Sequence, residues 1–204
     1  VEGYMDAISL HAAGIDYAVA SLGTAFSKEH AKLLARLVDT VVLSYDSDDA
    51  GKRNAVRAVS ILKEAEVPVK VLTVPEVKDP DEYIRKYGKD EFERLVATAL
   101  DGTEFQIRYT IGKNNNENLA GKVKTVSNLI PFLIESKNAI ARAGYVRLIA
   151  QLLTIDEELI NGEYRRAAGK NKNAEVAAFP AHNFREQQTR SEERRVGKEC
   201  LITC

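Results

Sequence analysis

The stretch Thr40-Val41-Val42-Leu43-Ser44-Tyr45-Asp46-Ser47-Asp48-Asp49-Ala50-Gly51 decides how this chain folds. Its first half is an apolar, β-branched run that favours a strand buried in a sheet. Three carboxylates follow, then the small-residue turn Ala50-Gly51, then a helical rhythm over residues 50–65 carried by Ala55, Val56, Val59, Ile61 and Leu62. In open α/β sheets, ligands bind at the carboxyl ends of the strands. Asp46 and Asp48 are two residues apart, so in an extended chain both point to one side. Such a pair repels itself, and a divalent cation is the simplest means of holding it.

The same alternation continues on both sides. Upstream, Val1-Glu2-Gly3 reads as a strand end and a turn, with no initiating Met, which suggests an N-terminally truncated core. A short helix follows, closed by Gly14 as its C-cap. Residues 17–20 read as a short buried strand, and Ser27 as the N-cap of a helix over residues 28–37. Downstream, residues 67–74 form a strand with Pro68 at its start. Asp81 can cap a helix through Tyr83, Ile84 and Tyr87 that Gly88 closes, and a short helix over residues 90–100 comes next. Strands alternating with helices predict an α/β fold with a parallel sheet.

From residue 104 the pattern is helical only, with helices predicted over 104–111, 119–134, 138–153 and 156–166. Thr154 and Glu157 read as a capping box for the last. The expected organisation is therefore an α/β core over residues 1–101, a small helical bundle over 102–166, and a flexible linker or tail over 167–189. The segment Arg190-Ser191-Glu192-Glu193-Arg194-Arg195-Val196-Gly197-Lys198-Glu199-Cys200 resembles the conceptual translation of a sequencing-adapter oligonucleotide. On that reading residues 190–204 are not biological; otherwise they are a solvated charged tail.

The 204 residues are 45% hydrophobic and 29% charged, ordinary for a globular protein, and the net charge is −1. A chain built mainly to grip nucleic acid is usually basic. Any such grip lies in local patches or elsewhere. No apolar run reaches the roughly 20 residues of a membrane span, and no secretory signal opens the chain, so a cytoplasmic protein without membrane contact is expected. Cys200 and Cys204 are the only cysteines, and His11, His30 and His182 are scattered. Any metal would be held by oxygen, which favours Mg²⁺ or Mn²⁺.

Glu2, Asp46 with Asp48, and Asp79 with Asp81 all fall at or just beyond predicted C-terminal strand ends. Asp6 lies one helical turn after Glu2. Parallel strands share one C-terminal edge, so these acids can converge there around one or two Mg²⁺ ions that bridge phosphate oxygens. Some of the acids also have a structural explanation: Asp81 as an N-cap, Asp79 as an Asp-Pro turn residue, and Asp6 and Asp49 as first-turn helix acids; a solvated turn accounts for one of Asp46 and Asp48 but less readily for both. Lys52 and Arg53, one turn past Asp48, can contact phosphates or form a solvated face.

Taken in order, Glu2-Gly3-Tyr4-Met5-Asp6, Ala20-Ser21-Leu22-Gly23-Thr24-Ala25, Tyr45-Asp46-Ser47-Asp48-Asp49-Ala50-Gly51 and Lys78-Asp79-Pro80-Asp81-Glu82 resemble the TOPRIM-type catalytic core of bacterial DNA primases. The helical stretch is similar to the subdomain that closes the primase polymerase domain. The resemblance implies a parallel-sheet TOPRIM core, and DNA-directed RNA polymerase activity that makes short primers on single-stranded DNA from ribonucleoside triphosphates. It implies Glu2, Asp46 and Asp48 as catalytic residues, and Glu2, Asp6, Asp46, Asp48, Asp79 and Asp81 as metal ligands. It further implies a monomer, zinc only in an N-terminal domain outside these residues, and a replicative helicase as partner through a C-terminal domain also outside them. An isolated segment of this kind is expected to be inactive or nearly so. Ser47 stands where the family often has glycine inside the DxD. The acids alone also fit another TOPRIM enzyme such as a nuclease, and a non-catalytic metal-binding module that docks DNA or a partner protein is a third reading.

Overall fold

The computed structural model describes residues 1–21 and 25–178, with side chains given through residue 169. In chain order the elements are α1 (Tyr4–Ala12), α2 (Lys28–Leu34), β1 (Val41–Ser44), α3 (Asp49–Glu64), β2 (Val69–Leu72), α4 (Pro80–Ala97), β3 (Leu100–Asp101), α5 (Gly102–Lys113), α6 (Leu119–Glu135), α7 (Ala139–Leu153) and α8 (Glu157–Ala178). The fold is mixed α/β and helix-rich, and a helical segment follows the small sheet. Strand order is β1-β2-β3. β1 and β2 are parallel, with Val41 opposite Val69 and Ser44 opposite Leu72. β3 runs antiparallel, with Asp101 opposite Lys70.

Alternation along the parallel pair sorts side chains between two cores. Leu43, Tyr45, Val69 and Val71 pack with Ala55, Ala58, Val59 and Leu62 of α3 and with Phe105 of α5. Leu72 and Val74 join Leu10, Ile15, Tyr83, Ile84 and Phe92 on the other face. The sheet is thus covered on both sides. The C-terminal ends of β1 and β2 are left at one edge, where the acids lie.

The sheet is smaller than the sequence predicts. Residues 17–20 do not form a buried strand: Tyr17 is 62% and Val19 63% exposed. Their backbone meets Val1, whose N–H donates to the Val19 carbonyl (2.9 Å) and whose carbonyl accepts from the adjoining Ser21 N–H (3.3 Å), and the Ala18 carbonyl meets His11 Nε2 (2.8 Å). Two bonds to one residue do not propagate a ladder. An apolar cavity of about 470 Å³, lined among others by Leu10, Ala18, Val42 and Leu43, lies beside β1. Conversely, β3 is only two residues long, too short for any period to reveal.

α5 joins the helical segment to the sheet. A Cβ on Gly102 would come within 2.8 Å of Val69 Cγ1 and 2.9 Å of Val59 Cγ1, so only glycine lets α5 start flush against β2 and α3. Four residues on, the fully buried Gln106 donates from Nε2 to the Val56 carbonyl (3.1 Å) and to Ser60 Oγ (2.9 Å). Leu129, Leu133, Ile149, Leu153 and Ile160 make the buried interior of the helices that follow. Predicted and observed helices agree closely here, because the 3.6-residue rhythm is undisturbed.

Caps differ in detail. Gly88 takes a left-handed φ of 78° and breaks α4 in two, as expected of a terminator. Thr154 does not open α8: with φ 53° it is the C-cap of α7, and Asp156 Oδ1 instead accepts from Glu158 N–H (2.7 Å). The chain divides after Tyr164 into two compact units. α8 runs on to Ala178, past the predicted end at Arg166. Its alanines, lysines and glutamates favour helix without giving the periodicity that would announce it. Leu22, Gly23 and Thr24 of the Ala20–Ala25 motif, the adapter-like segment and both cysteines lie outside the described residues.

Tyr145 of α7 donates its hydroxyl to Asp101 Oδ1 (2.7 Å), the carboxylate that also caps α5. Burial first, then the Asp101 contact, pushes the phenol from 10.0 up to about 12. The folded state therefore holds this proton more tightly than the unfolded chain. The resulting stabilisation is complete below pH 10 and is lost as pH rises toward 12. Urea midpoints measured across that range are expected to fall less steeply for Tyr145→Phe than for the parent. A residual slope is expected from Tyr45, whose phenol is also pushed up to about 12.

Candidate metal centre at the sheet edge

Asp46 lies two residues past the end of β1, and its backbone is held against α3. A Cβ on Gly51 would lie 2.2 Å from the Asp46 carbonyl oxygen, so glycine at this position lets the first turn of α3 rest on that peptide. Asp48 is the N-cap of α3: its Oδ1 accepts from Gly51 N–H (2.7 Å). The two acids of the DxD therefore differ. Asp46 is half-buried at the strand end, whereas Asp48 is exposed and has one oxygen committed to the helix.

Ser47 between them ties this loop to the next one. Its N–H donates to the Lys78 carbonyl (2.9 Å) and its Oγ to the Val74 carbonyl (3.0 Å). That second loop carries Asp79 and Asp81. Asp79, not Asp81, is the N-cap of α4, accepting from Glu82 N–H (2.8 Å) with Pro80 at the first helical position. Asp81 instead pairs with Arg85 Nε (2.9 Å) and accepts from Ser9 Oγ. The predicted cap slips by two residues because proline suits the first helical position and an acid fits just before it.

Asp6 is 6% exposed, not the exposed first-turn acid that was the simpler alternative. Its Oδ2 accepts from Gly3 N–H (3.1 Å) and its Oδ1 from Asp81 N–H (3.2 Å), so it links the start of α1 to the start of α4. Glu2, one residue before that link, accepts at Oε1 from Asn54 Nδ2 on α3 (3.1 Å). Lys78 Nζ stands 3.8 Å from Asp46 Oδ2. Lys52 and Arg53 lie on the first turns of α3, and neither makes an ion pair among the described residues; Asp49 beside them pairs with Lys113 (2.6 Å).

The electrostatics show which acids are neighbours. Burial holds the Asp46 carboxyl above the usual carboxylate range and Glu2 pushes it the same way; Lys78 opposes, and Asp6 and Asp79 add to the rise. Burial also raises Asp6, against the two backbone N–H donors it accepts from, while Asp79 adds to the rise. Asp46 thus feels the negative charge of Glu2, Asp6 and Asp79, an arrangement that a cation would relieve. The donors are all carboxylate oxygens, which suits Mg²⁺ or Mn²⁺. As the side chains stand, no three His, Cys, Asp or Glu among the described residues are placed to ligate one ion together. Asp48, Asp79, Asp81 and Asp6 are each engaged in caps or cross-links. Glu2 and Asp46 have the least committed oxygens.

Asn54, Ser47 and Lys78 were not singled out as partners of these acids from the sequence. Asn54 has a signal in retrospect: a side-chain amide exposed on a helix, six residues after the N-cap, where alanine would form helix better.

Two family models match the chain: "Toprim-like" over residues 1–84, and "DnaB-helicase binding domain of primase" over residues 103–158. A DNA primase of Clostridium acetobutylicum is 41% identical over 160 residues, which are 78% of this chain and 27% of that protein. The chain thus spans about a quarter of the length of this curated relative. A solved DNA primase domain from Pseudomonas aeruginosa superposes with a TM-score of 0.63 at 31% identity, covering 81% of this chain and 53% of that one. The catalytic domain of a DnaG primase, solved bound to single-stranded DNA, gives a TM-score of 0.65 at 30% identity over 78% of this chain and 51% of that one. That coverage exceeds residues 1–101, so the similarity to solved primase domains includes helical residues. The helicase description falls on α5 to α7.

Proposed function

The chain belongs to the bacterial DnaG-type primases, and on that premise we propose that it supplies the nucleotidyl-transfer centre of a primase. The reaction joins a primer 3′-hydroxyl oxygen to the α-phosphorus of a ribonucleoside triphosphate. The bond from that phosphorus to the bridging α–β oxygen breaks, and pyrophosphate leaves. Single-stranded DNA is the template. The observation that carries this reading is the crowding of Asp46 by Glu2, Asp6 and Asp79 at the C-terminal edge of the parallel strands.

Glu2 and Asp46 would hold a divalent cation, and Asp48 and Asp79 are further candidate ligands. When bound, Mg²⁺ or Mn²⁺ supplies Lewis-acid stabilisation of the negative charge on the reacting phosphate and leaving oxygens. The chain's own residues do the rest. Asp6 and Ser47 fix the three acid-bearing loops to one another. Gly51 seats Asp46 on α3. Lys52 and Arg53, which make no ion pair among the described residues, offer positive charge to triphosphate or template phosphates. The domain reading is an acid-bearing core over residues 1–101 and a helical subdomain over 102–166. The second family match supports a replicative helicase as partner, with α5 to α7 as its contact. Zinc is assigned to no described residue; a zinc-binding domain elsewhere in the full-length protein is part of the same proposal. No helix among the described residues is long and apolar enough to cross a membrane, and a cytoplasmic site of action is proposed.

The test is primer synthesis by the full-length protein on single-stranded DNA with ribonucleoside triphosphates, beside Glu2→Gln and Asp46→Asn. Primers from the parent and loss of at least about 100-fold in each variant are expected. Degraded template without primers would favour the nuclease reading instead.

A further inference from the structure

We propose that Asn54 is a positioning residue for Glu2, holding its carboxylate in the orientation in which it receives the cation. The inference rests on the reading of Glu2 as a metal-site acid and adds a residue to it. Asn54 Nδ2 donates to Glu2 Oε1 at 3.1 Å across a sequence separation of 52 residues. Both residues line a small pocket whose wall also includes Phe26, Tyr45 and Arg57. No hydrogen bond engages Glu2 Oε2 among the described residues, so one oxygen is held and one is open.

The chemistry of the donor matters. A lysine or arginine at this position would form an ion pair that an incoming cation must displace. An amide orients the carboxylate and leaves its full negative charge in place. The support beneath Asn54 is firm. α3 is capped by Asp48 and seated on the Asp46 peptide through Gly51. Asn54 lies five residues into the helix from Asp49, about 7.5 Å along its axis. One helix therefore relates the DxD at its start to Glu2 at its flank, and Asn54 is the side chain that makes the second connection. The residue is exposed and sits inside a helix, where alanine would be favoured. Local helix stability does not account for an asparagine there.

The experiment is Mn²⁺ titration calorimetry on the 204-residue chain, with thermal melts without metal, for the parent, Asn54→Ala, Glu2→Gln and the double variant. Orienting partners of metal ligands typically contribute 10–100-fold in affinity. Asn54→Ala is expected to bind Mn²⁺ about 10-fold more weakly with an unchanged or slightly raised melting temperature. Glu2→Gln is expected to lose at least as much, and the double variant no more than Glu2→Gln alone. That non-additivity is a coupling that a merely structural role would not produce. Parent-like binding by Asn54→Ala, with Glu2→Gln impaired, would overturn the role of Asn54 and leave the site reading standing. Equal losses that add in the double variant would also overturn it. Parent-like binding by Glu2→Gln, or no binding by the parent, would overturn the site reading and this inference together.

Discussion

Gly51→Ala is expected to destabilise the chain by about 1–3 kcal/mol, the usual cost of forcing an extra carbon into a packed position. The added Cβ would stand 2.2 Å from the Asp46 carbonyl oxygen, 2.9 Å from its carbon and 3.0 Å from its Cα. All three are backbone atoms, so no side chain can rotate away. α3 cannot easily slide either, because Ala55, Ala58, Val59 and Leu62 are buried against the sheet. In an ordinary exposed helix the same change would stabilise by roughly 1 kcal/mol, since alanine is the better helix former. The sign of the effect is therefore diagnostic. Thermal unfolding measures it: each kcal/mol is worth about 2–4 °C at this size. A melting temperature at or above the parent's would show that α3 does not rest on the Asp46 peptide.

Asp46→Asn is expected to give two effects of opposite sign. Without metal the variant should be more stable, because burial and then the Glu2 carboxylate disfavour the Asp46 charge. With Mn²⁺ or Mg²⁺ it should bind at least about 10-fold more weakly, since a ligand matters no less than the groups that orient it. Asp48 separates differently. Asn caps a helix about as well as Asp, and Ala does not, at a cost of about 1 kcal/mol. If Asp48 also ligates, Asp48→Asn loses affinity and keeps stability. If it is a cap alone, Asp48→Asn is neutral in both and only Asp48→Ala loses stability. Calorimetric titration with parallel melts reads all three variants. Undiminished affinity in Asp46→Asn would remove the centre of the proposed site.

How much of this was legible in the sequence depended on the range of the forces involved. The Val41–Leu43 run, the Gly14 and Gly88 terminators and the rhythm of α5 to α7 are local signals, and the structure follows them. What the sequence did not reveal is set by partners far along the chain. Residues 17–20 have the composition of a strand, but composition supplies no neighbouring strand, and among the described residues their backbone meets just Val1 and the His11 ring. β3 exists because Leu100 and Asp101 meet β2, not because two residues carry a period. Asp81 was read as the cap and Asp79 as a turn residue; Pro80 at the first helical position gives the cap to Asp79. At the site, the acids were visible as residue types at strand ends. Their ties to Asn54, Ser47 and Lys78 were not, because each crosses more than 25 residues of sequence.

Ser47 has a consequence for how binding is prepared. Ordering a loop residue costs about 1–2 kcal/mol in lost backbone entropy. Two independent acid-bearing loops would each incur such a cost when a cation arrived. Through its two bonds to Val74 and Lys78, the serine makes the loops after β1 and β2 one rim. Their ordering is completed when the protein folds, and the ion meets a single prearranged surface. A glycine here would keep the backbone bond and lose the hydroxyl's. The rim would then be hinged where it is now braced.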